Sequence, residues 1–237
     1  MTIKAILFDF MGTCLDWHTS IVASLPPSIS KEKRSKLALE WRQTYFDYNS
    51  ARLALRQPPE DIDISHRQTL QLLLSTPEWS SLQSNFDSEH IERCIAAWHD
   101  QPAWQDVRPM LEKLRGKGYE LFVHANGTTR LQLDLVRSSG LKGCFDLLLS
   151  SELLGTIKPA PESYVKCMEL LRYKPEECVM VAAHAYDTRG AKKMGMKTVY
   201  IHRWTDDIKE DQEALRDEHD AYLGSMEQLD EIASKLN

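Results

Sequence analysis

The sequence predicts an α/β protein: a doubly wound parallel sheet with a small all-helical domain inserted after the first strand. From residue 103 onward, short apolar runs alternate with helical segments, which is typical of a parallel sheet covered by helices. Residues 17–99 instead carry helix-forming residues with apolar faces. We therefore expect a core domain of residues 1–16 and 100–237 and a helical domain of residues 17–99.

The composition restricts the classes of function. The chain has 237 residues, 42% of them hydrophobic, which allows one large or two modest domains. A net charge of −6 without a basic stripe argues against nucleic acid or an anionic membrane as a partner. No apolar run reaches the ~18 residues that a membrane span needs. Five scattered cysteines predict reduced thiols in a cytoplasmic protein.

The first strand leads directly into an aspartate. Residues 5–8 are all apolar and are followed by Asp9, after which Gly12 and Thr13 break the run. Open α/β sheets place their chemistry at the carboxyl ends of such strands. Asp9 is therefore a candidate nucleophile or metal ligand, and the ordinary alternative is a cap of the next turn. Met11, two positions later, has no proton to donate.

Three later segments carry candidate site residues. Asn126 follows the predicted strand at 119–125, and His184 and Asp187 follow the one at 178–183. Lys158 precedes a proline, and a fixed lysine could neutralise Asp9 and an anionic substrate. Each residue also has an ordinary interpretation. Asn126 would belong to a turn, Lys158 to the surface, His184 to a loop, and Asp187 would cap the next helix.

Four segments together resemble the haloacid dehalogenase (HAD) superfamily. They are Asp9-Phe10-Met11-Gly12-Thr13, His124-Ala125-Asn126-Gly127, Gly155-Thr156-Ile157-Lys158-Pro159, and the run from Val181 to Asp187. Their pattern is most similar to the L-2-haloacid dehalogenase-like subfamily, in its fungal-type branch. The resemblance implies a HAD-like, Rossmann-type core, with the helical insertion as a cap domain that roofs the active site.

The departures from the superfamily pattern concern metal and phosphate. Most members are magnesium-dependent phosphatases, and the second aspartate of their first motif protonates the leaving alcohol. This chain has Met11 at that position, Ala125 where the family usually has a hydroxyl residue, and no acid from Val181 to Tyr186. Two carboxylates alone are a poor cage for magnesium. We therefore expect no metal, no cofactor and no phosphoryl transfer.

The resemblance implies a role for each candidate residue. A carboxylate at Asp9 would displace a halide and form an aspartyl ester, Lys158 would fix that carboxylate, and Asp187 would activate water. His184 stands where the bacterial pattern has asparagine, and its ordinary pKa of ~6.5 would suit a second base. The tripeptide Trp41-Arg42-Gln43 is similar to the cap helix of the dehalogenases, where the arginine binds halide or carboxylate. The expected substrate-binding residues are Met11, Thr13, Arg42, Asn126 and Tyr186.

The expected function is metal-independent hydrolysis of a small 2-haloalkanoic acid. The expected partner is this small molecule. The resembling dehalogenases are commonly homodimers, so the resemblance also implies a homodimer. Three alternatives remain open. The same scaffold could hydrolyse a non-halogenated ester or lactone, it could be a non-catalytic binding protein, or it could be a phosphatase.

Overall fold

A computed structural model of the chain describes residues 2–58 and 60–236 and divides into two compact units. The α/β unit comprises Met1–Asp16 and Pro102–Asn237, and the helical unit comprises Trp17–Gln101. The helical unit thus extends past the predicted end at residue 99. The reason is that Gln101 is fully buried and its side-chain amide donates a hydrogen bond to the Trp98 carbonyl at 2.9 Å.

The α/β unit is built on a parallel sheet. Over the described residues the sheet has six strands in the order β3-β2-β1-β4-β5-β6, all parallel. The predicted fold class is confirmed. The last strand is only three residues long, which is too short to give a periodic signal in the sequence. The strands are β1 Ala5–Phe8, β2 Glu120–Ala125, β3 Leu147–Ser150, β4 Cys178–Ala182, β5 Lys197–Ile201 and β6 Ala221–Leu223.

The helical unit is held together by aromatic side chains. Its described residues form the α-helices α1 Trp17–Ser24, α2 Lys31–Ala54, α3 Ile62–Leu74 and α4 Ser88–Ala96. Trp17, Trp41 and Trp98 are fully buried, and the rings of Trp17 and Trp98 stack with centroids 5.7 Å apart. The Trp41 indole donates to the carbonyl of His66 at 3.0 Å, which ties α2 to α3.

Helices cover the sheet of the α/β unit. They are α5 Val107–Gly116, α6 Thr129–Ser138, α7 Ser151–Leu154, α8 Pro161–Leu171, α9 Ala185–Lys193, α10 Gln212–Glu218 and α11 Leu229–Lys235. All five cysteines of the chain are buried and none forms a disulfide. In the part of the chain that the structure describes, no helix has the length and apolarity to cross a bilayer.

The strand order places the first strand at the centre of the sheet. All four residues of β1 are buried, and Phe8 is in register with Val123 of β2 on one side and Val181 of β4 on the other. The chain order reverses between β1 and β4, which creates the crevice where open α/β sheets bind their ligands. Asp9 lies at this crevice, because its backbone N–H continues the ladder to the Val181 carbonyl at 3.0 Å.

Candidate active site

Asp9 is a buried carboxylate surrounded by hydrogen-bond donors. Its side chain accepts from Lys158 Nζ at Oδ1 (2.9 Å) and from Thr13 Oγ1 at Oδ2 (2.8 Å). The Nδ1 atom of His184 lies 3.0 Å from the same Oδ2. Burial raises the pKa of Asp9, but Lys158 and His184 outweigh it and hold the pKa well below the usual carboxyl range. Asp9 is therefore ionised.

The loop after β1 fixes this carboxylate. Thr13 Oγ1 donates to Asp9 and accepts from the backbone N–H of Ala183 at 2.8 Å, so the loop is bonded to the end of β4. Gly12 adopts a left-handed φ of 88°, a conformation that favours glycine. Met11 is buried in the same loop and brings no acidic group to Asp9.

Lys158 is the cation that links two carboxylates. Its Nζ donates to Asp9, to Asp187 and, at 2.6 Å, to the carbonyl of His124 at the end of β2. The side chain is only 1% exposed. Burial opposes its charge, but Asp187 and Asp9 raise the pKa of Lys158 above the usual lysine value. The surface interpretation of this lysine is therefore wrong.

Asn126 holds the backbone of Lys158. Its Oδ1 accepts from the Lys158 backbone N–H at 2.8 Å, and its Nδ2 donates to the Lys158 carbonyl at 3.1 Å. This two-bond clamp positions the lysine over the end of β2. The predicted contact between Asn126 and a substrate anion stays a prediction. The second N–H of the side-chain amide would donate to that anion.

Asp187 lies within the first turn of α9 and is fully buried. The helix cap is His184, and the first helical N–H, that of Ala185, donates to Asp207 at 2.6 Å, so the cap interpretation of Asp187 is wrong. Its Oδ1 accepts from the Tyr164 hydroxyl at 2.8 Å. Burial raises the pKa of Asp187 above the usual carboxyl value, although Lys158 opposes this. A raised pKa makes a carboxylate a stronger base.

His184 lies between two carboxylates. Its Nδ1 faces Asp9 and its Nε2 lies 3.0 Å from Oδ1 of Asp206. Burial lowers the pKa of His184, but the hydrogen bonds to Asp206 and Asp9 outweigh it and raise the pKa to about 10. A ring that carries a proton on both nitrogens has no lone pair for a water proton, so this environment favours a charged ring; the base role of His184 stays a prediction. The ring of Tyr186 lies beside it, with centroids 5.5 Å apart.

Asp206 was not among the predicted site residues. A charged run such as that from Asp206 to Asp220 is typical of a solvated loop and helix face, whereas Asp206 is only 3% exposed. The loop that carries Asp206 also bonds to the loop after β1, because Arg203 Nε donates to the Thr13 carbonyl at 3.2 Å. The signal that could have found Asp206 is its place shortly after β5, whose carboxyl end lies at the same edge of the sheet.

Comparison with known proteins places the chain in a family. A family model described as a haloacid dehalogenase-like hydrolase matches residues 3–195. The chain belongs to the haloacid dehalogenase-like hydrolases. Its fungal-type character stays a prediction.

Relatives of this haloacid dehalogenase-like hydrolase include both dehalogenases and phosphatases. It is 29% identical over 203 residues to (S)-2-haloacid dehalogenase 4A of Burkholderia cepacia, covering 85% of this chain and 84% of that protein. It is 26% identical over 195 residues to the phosphoglycolate phosphatase of Aquifex aeolicus (strain VF5), covering 82% and 83%. A crystal structure of an L-2-haloacid dehalogenase superposes with a TM-score of 0.79 at 30% identity, covering 97% of each chain.

Magnesium, which the resemblance assigns to phosphatases of the superfamily, fits the donor set of this hydrolase poorly. Both oxygens of Asp9 and both of Asp187 already accept hydrogen bonds from protein donors, and the side chain of Met11 offers no hard oxygen. Within residues 2–58 and 60–236, no group of three or more His, Cys, Asp or Glu side chains is arranged to hold a metal ion.

Arg42 of the hydrolase lies in the helical unit, on α2. It is 5% exposed, and its guanidinium carbon lies 4.5 Å from the ring centre of Phe46 and 5.6 Å from that of Trp98. The rings of Trp17 and Tyr45 lie at 5.5 and 5.7 Å. Most helix arginines face solvent, whereas Arg42 is buried among aromatic rings. Its predicted role in anion binding stays a prediction.

Proposed function

We propose that this hydrolase is a metal-independent enzyme of the 2-haloacid dehalogenase type. It would replace the halide of a small 2-haloalkanoic acid by hydroxyl through an aspartyl ester on Asp9. The observation that carries the proposal is an ionised, buried Asp9 held by Lys158, His184 and Thr13, with Met11 where phosphatases have their acid. The similarity to an (S)-2-haloacid dehalogenase over most of the chain supports it.

The first step is displacement at carbon. An oxygen of Asp9 forms a bond to the carbon that bears the halogen, and the carbon–halogen bond breaks with its electron pair on the halide. Because a halide leaves as a stable anion, the step needs no proton, and Met11 in place of an acid is no obstacle. Backside attack would invert the configuration at this carbon.

The second step is hydrolysis of the ester. Water attacks the carbonyl carbon of the Asp9 ester and gives a proton to a base. Asp187 is the better candidate for this base, because its pKa is raised by burial whereas His184 donates from both ring nitrogens. Lys158 stabilises the negative charge of Asp9 before the attack on carbon and that of Asp187 until it takes the proton from water. Asn126 and Arg42 remain the candidates for contacts with the substrate anion, carried over from the resemblance.

Halide release is the direct test. Purified enzyme is incubated with 2-chloropropionate and with bromoacetate, and free halide is measured for wild type, Asp9→Asn and Asp217→Asn. Asp217 is an exposed residue of α10 and serves as the matched control. We expect halide from wild type and Asp217→Asn and none above background from Asp9→Asn. Halide release by Asp9→Asn at the wild-type rate would contradict the proposal.

A single turnover in heavy-oxygen water tests the ester. The oxygen that enters the first product comes from Asp9, so the first product is unlabelled and the label is found in Asp9. Label that enters the product on the first turnover would exclude the ester. Magnesium-dependent hydrolysis of an aryl phosphate, without halide release, would instead assign the enzyme to the phosphatases.

A further inference from the structure

The imidazole of His184 is held as a cation by geometry. Its two ring nitrogens each lie 3.0 Å from a carboxylate oxygen, Oδ2 of Asp9 on one side and Oδ1 of Asp206 on the other. An ionised carboxylate only accepts hydrogen bonds, so both nitrogens must donate and the ring carries two protons. The ring is only 2% exposed and the Asp206 side chain is fully buried, so solvent screens neither group.

Asp206 is itself fixed in place. Its Oδ2 accepts from Thr205 Oγ1 at 2.7 Å, and its backbone N–H donates to the Arg203 carbonyl at 3.1 Å. Arg203 in turn forms a bidentate pair with Asp106, with both distances 2.9 Å. The carboxylate therefore lies on a braced loop, which suits a residue that orients another side chain.

Two further charged groups face the imidazole without contacting it. Lys158 bonds the other oxygen of Asp9, and Asp207 adds negative charge beside the ring. Asp207 is otherwise engaged, because its Oδ2 accepts from the Ala185 N–H at 2.6 Å and from the Tyr200 hydroxyl at 3.2 Å. Asp206 is thus the carboxylate of this loop that bonds the ring.

The two oxygens of Asp9 are not equivalent. Among the described residues, Oδ1 accepts one hydrogen bond, from Lys158, whereas Oδ2 accepts from Thr13 and from His184. The oxygen with two fixed donors is the better place for developing negative charge, and the other keeps more lone-pair density for attack on carbon.

We propose that Asp206 is a positioning residue that keeps His184 charged against Oδ2 of Asp9, so that Oδ2 becomes the stabilised oxyanion when the aspartyl ester is hydrolysed. The inference rests on the proposed function and assigns roles within its second step. Oδ1 is then the oxygen that attacks carbon and later leaves with the hydroxy acid.

Hydrolysis of the ester restores Asp9 as a carboxylate. Water gives a proton to Asp187 and bonds to the ester carbonyl carbon of Asp9, and the carbonyl electron pair moves to Oδ2. The pair returns, the bond from that carbon to Oδ1 breaks, and the departing alkoxide takes the proton from Asp187. The new carboxyl group loses its remaining proton to solvent. The sum is haloacid plus water to hydroxy acid, halide and one proton.

Nitrogen-15 NMR of the histidine rings tests the charge without any substrate. The chain has eight histidines, and comparison with His184→Asn assigns the signal. We expect His184 to stay doubly protonated in wild type and in Asp207→Asn up to about pH 9, and to become neutral at lower pH in Asp206→Asn. A neutral His184 in wild type at about pH 8, or an unchanged titration in Asp206→Asn, would overturn the proposal.

Asp207→Asn is the matched control for Asp206→Asn. It removes one charge from the next residue of the same loop, and asparagine tolerates the left-handed φ of 51° at that position. Should Asp206→Asn fail to fold, the wild-type titration still decides the charge state of His184.

Pre-steady-state kinetics test the role in catalysis. In Asp206→Asn we expect the first burst of halide to persist while ester hydrolysis slows about 10- to 100-fold, so that alkylated Asp9 accumulates. The rate should also decline with rising pH where wild type stays level. An equal loss in both steps would overturn the oxyanion role. Absence of any halide from wild type, with the NMR result intact, would instead refute the proposed function.

Discussion

The two units of the molecule bury their key cations in different ways. Lys158 in the α/β unit contacts the carboxylates of Asp9 and Asp187, at 2.9 Å for Asp9. Arg42 in the helical unit lies over four aromatic rings, nearest to Phe46. A carboxylate neutralises the positive charge of a buried lysine directly. Aromatic rings stabilise the positive charge of an arginine more weakly, because they contact only the flat sides of the guanidinium. Loss of the lysine should therefore harm the protein more than loss of the arginine.

The same contrast holds for the buried histidines. His184 lies between carboxylates and is charged, while His66 of the helical unit stacks on Trp98 with ring centroids 4.0 Å apart. Burial, with Arg42 as a second cause, lowers the pKa of His66 well below the usual histidine value. The two units should therefore respond to pH with opposite sign.

The largest expected effect is that of Lys158→Met. It leaves two buried carboxylates without their shared cation, so we expect the free energy of unfolding to fall by about 3–5 kcal/mol and halide release to fall by at least about 1,000-fold. Urea unfolding and the halide assay measure the two losses. Lys142→Met, at an exposed position, is the control and should change neither. A stable, active Lys158→Met would break the comparison.

The next largest effect is the loss of stability at alkaline pH. The pKa of His184 is raised to about 10 in the folded protein and is ~6.5 when unfolded. Its contribution is therefore fully present below about pH 6.5 and is lost as the pH rises toward 10, a change on the order of a few kcal/mol. His184→Asn should remove this slope in unfolding measured by urea, while His90→Asn should keep it. A flat wild-type profile would contradict the expectation.

A smaller effect of opposite sign is expected at His66. Neither ring nitrogen of His66 has a hydrogen-bond partner among the described residues, and its pKa is lowered, so its contribution is lost as the pH falls below about 6.5. His66→Phe should remove that acid-side slope and raise the free energy of unfolding at neutral pH by about 1 kcal/mol. Thermal and urea unfolding at several pH values measure both changes. A destabilised variant with the slope intact would contradict the expectation, because it would show that His66 is not the source of the acid-side slope.

The smallest effect is expected for Arg42→Lys. The ammonium keeps the charge but loses the flat contact with the rings, so we expect a loss of about 0.5–1 kcal/mol in the free energy of unfolding. If Arg42 also binds the substrate anion, the variant should raise KM for 2-chloropropionate more than it lowers kcat. Arg93→Lys, at an exposed position of α4, is the control. Unchanged stability and kinetics would place Arg42 outside both roles.

Site residues were easiest to predict from the sequence where they directly follow a predicted strand. Asp9 and His184 each follow a short buried run, and Lys158 and Asp187 lie in motifs that resemble known ones, so the rule that strand ends meet brought them together. The burial of Asp206 could not be predicted, because the residue lies in a polar run. The mean polarity of a run does not show whether one of its side chains is buried. The strand β6 was not predicted, because three residues carry too little periodic signal.

The helical unit was harder to predict in detail. Its helices follow from apolar periodicity, but the aromatic surroundings of Arg42 join residues from separate helices, and periodicity does not show which side chains meet. The double donation by His184 also required coordinates. The spacing to Asp187 suggested a base, whereas the carboxylate that makes the ring a cation lies on another loop.

Gly12, in the loop after β1, should be sensitive to mutation. A Cβ atom at position 12 would lie 2.6 Å from Oδ2 of Asp206, so a larger residue there would push on the side chain that orients His184. Gly12→Ala would thus disturb the position of the His184 imidazole indirectly, by displacing Asp206, which is far from Gly12 in the sequence. A suppressor screen begun from that allele should return compensating changes at residues 205 and 206.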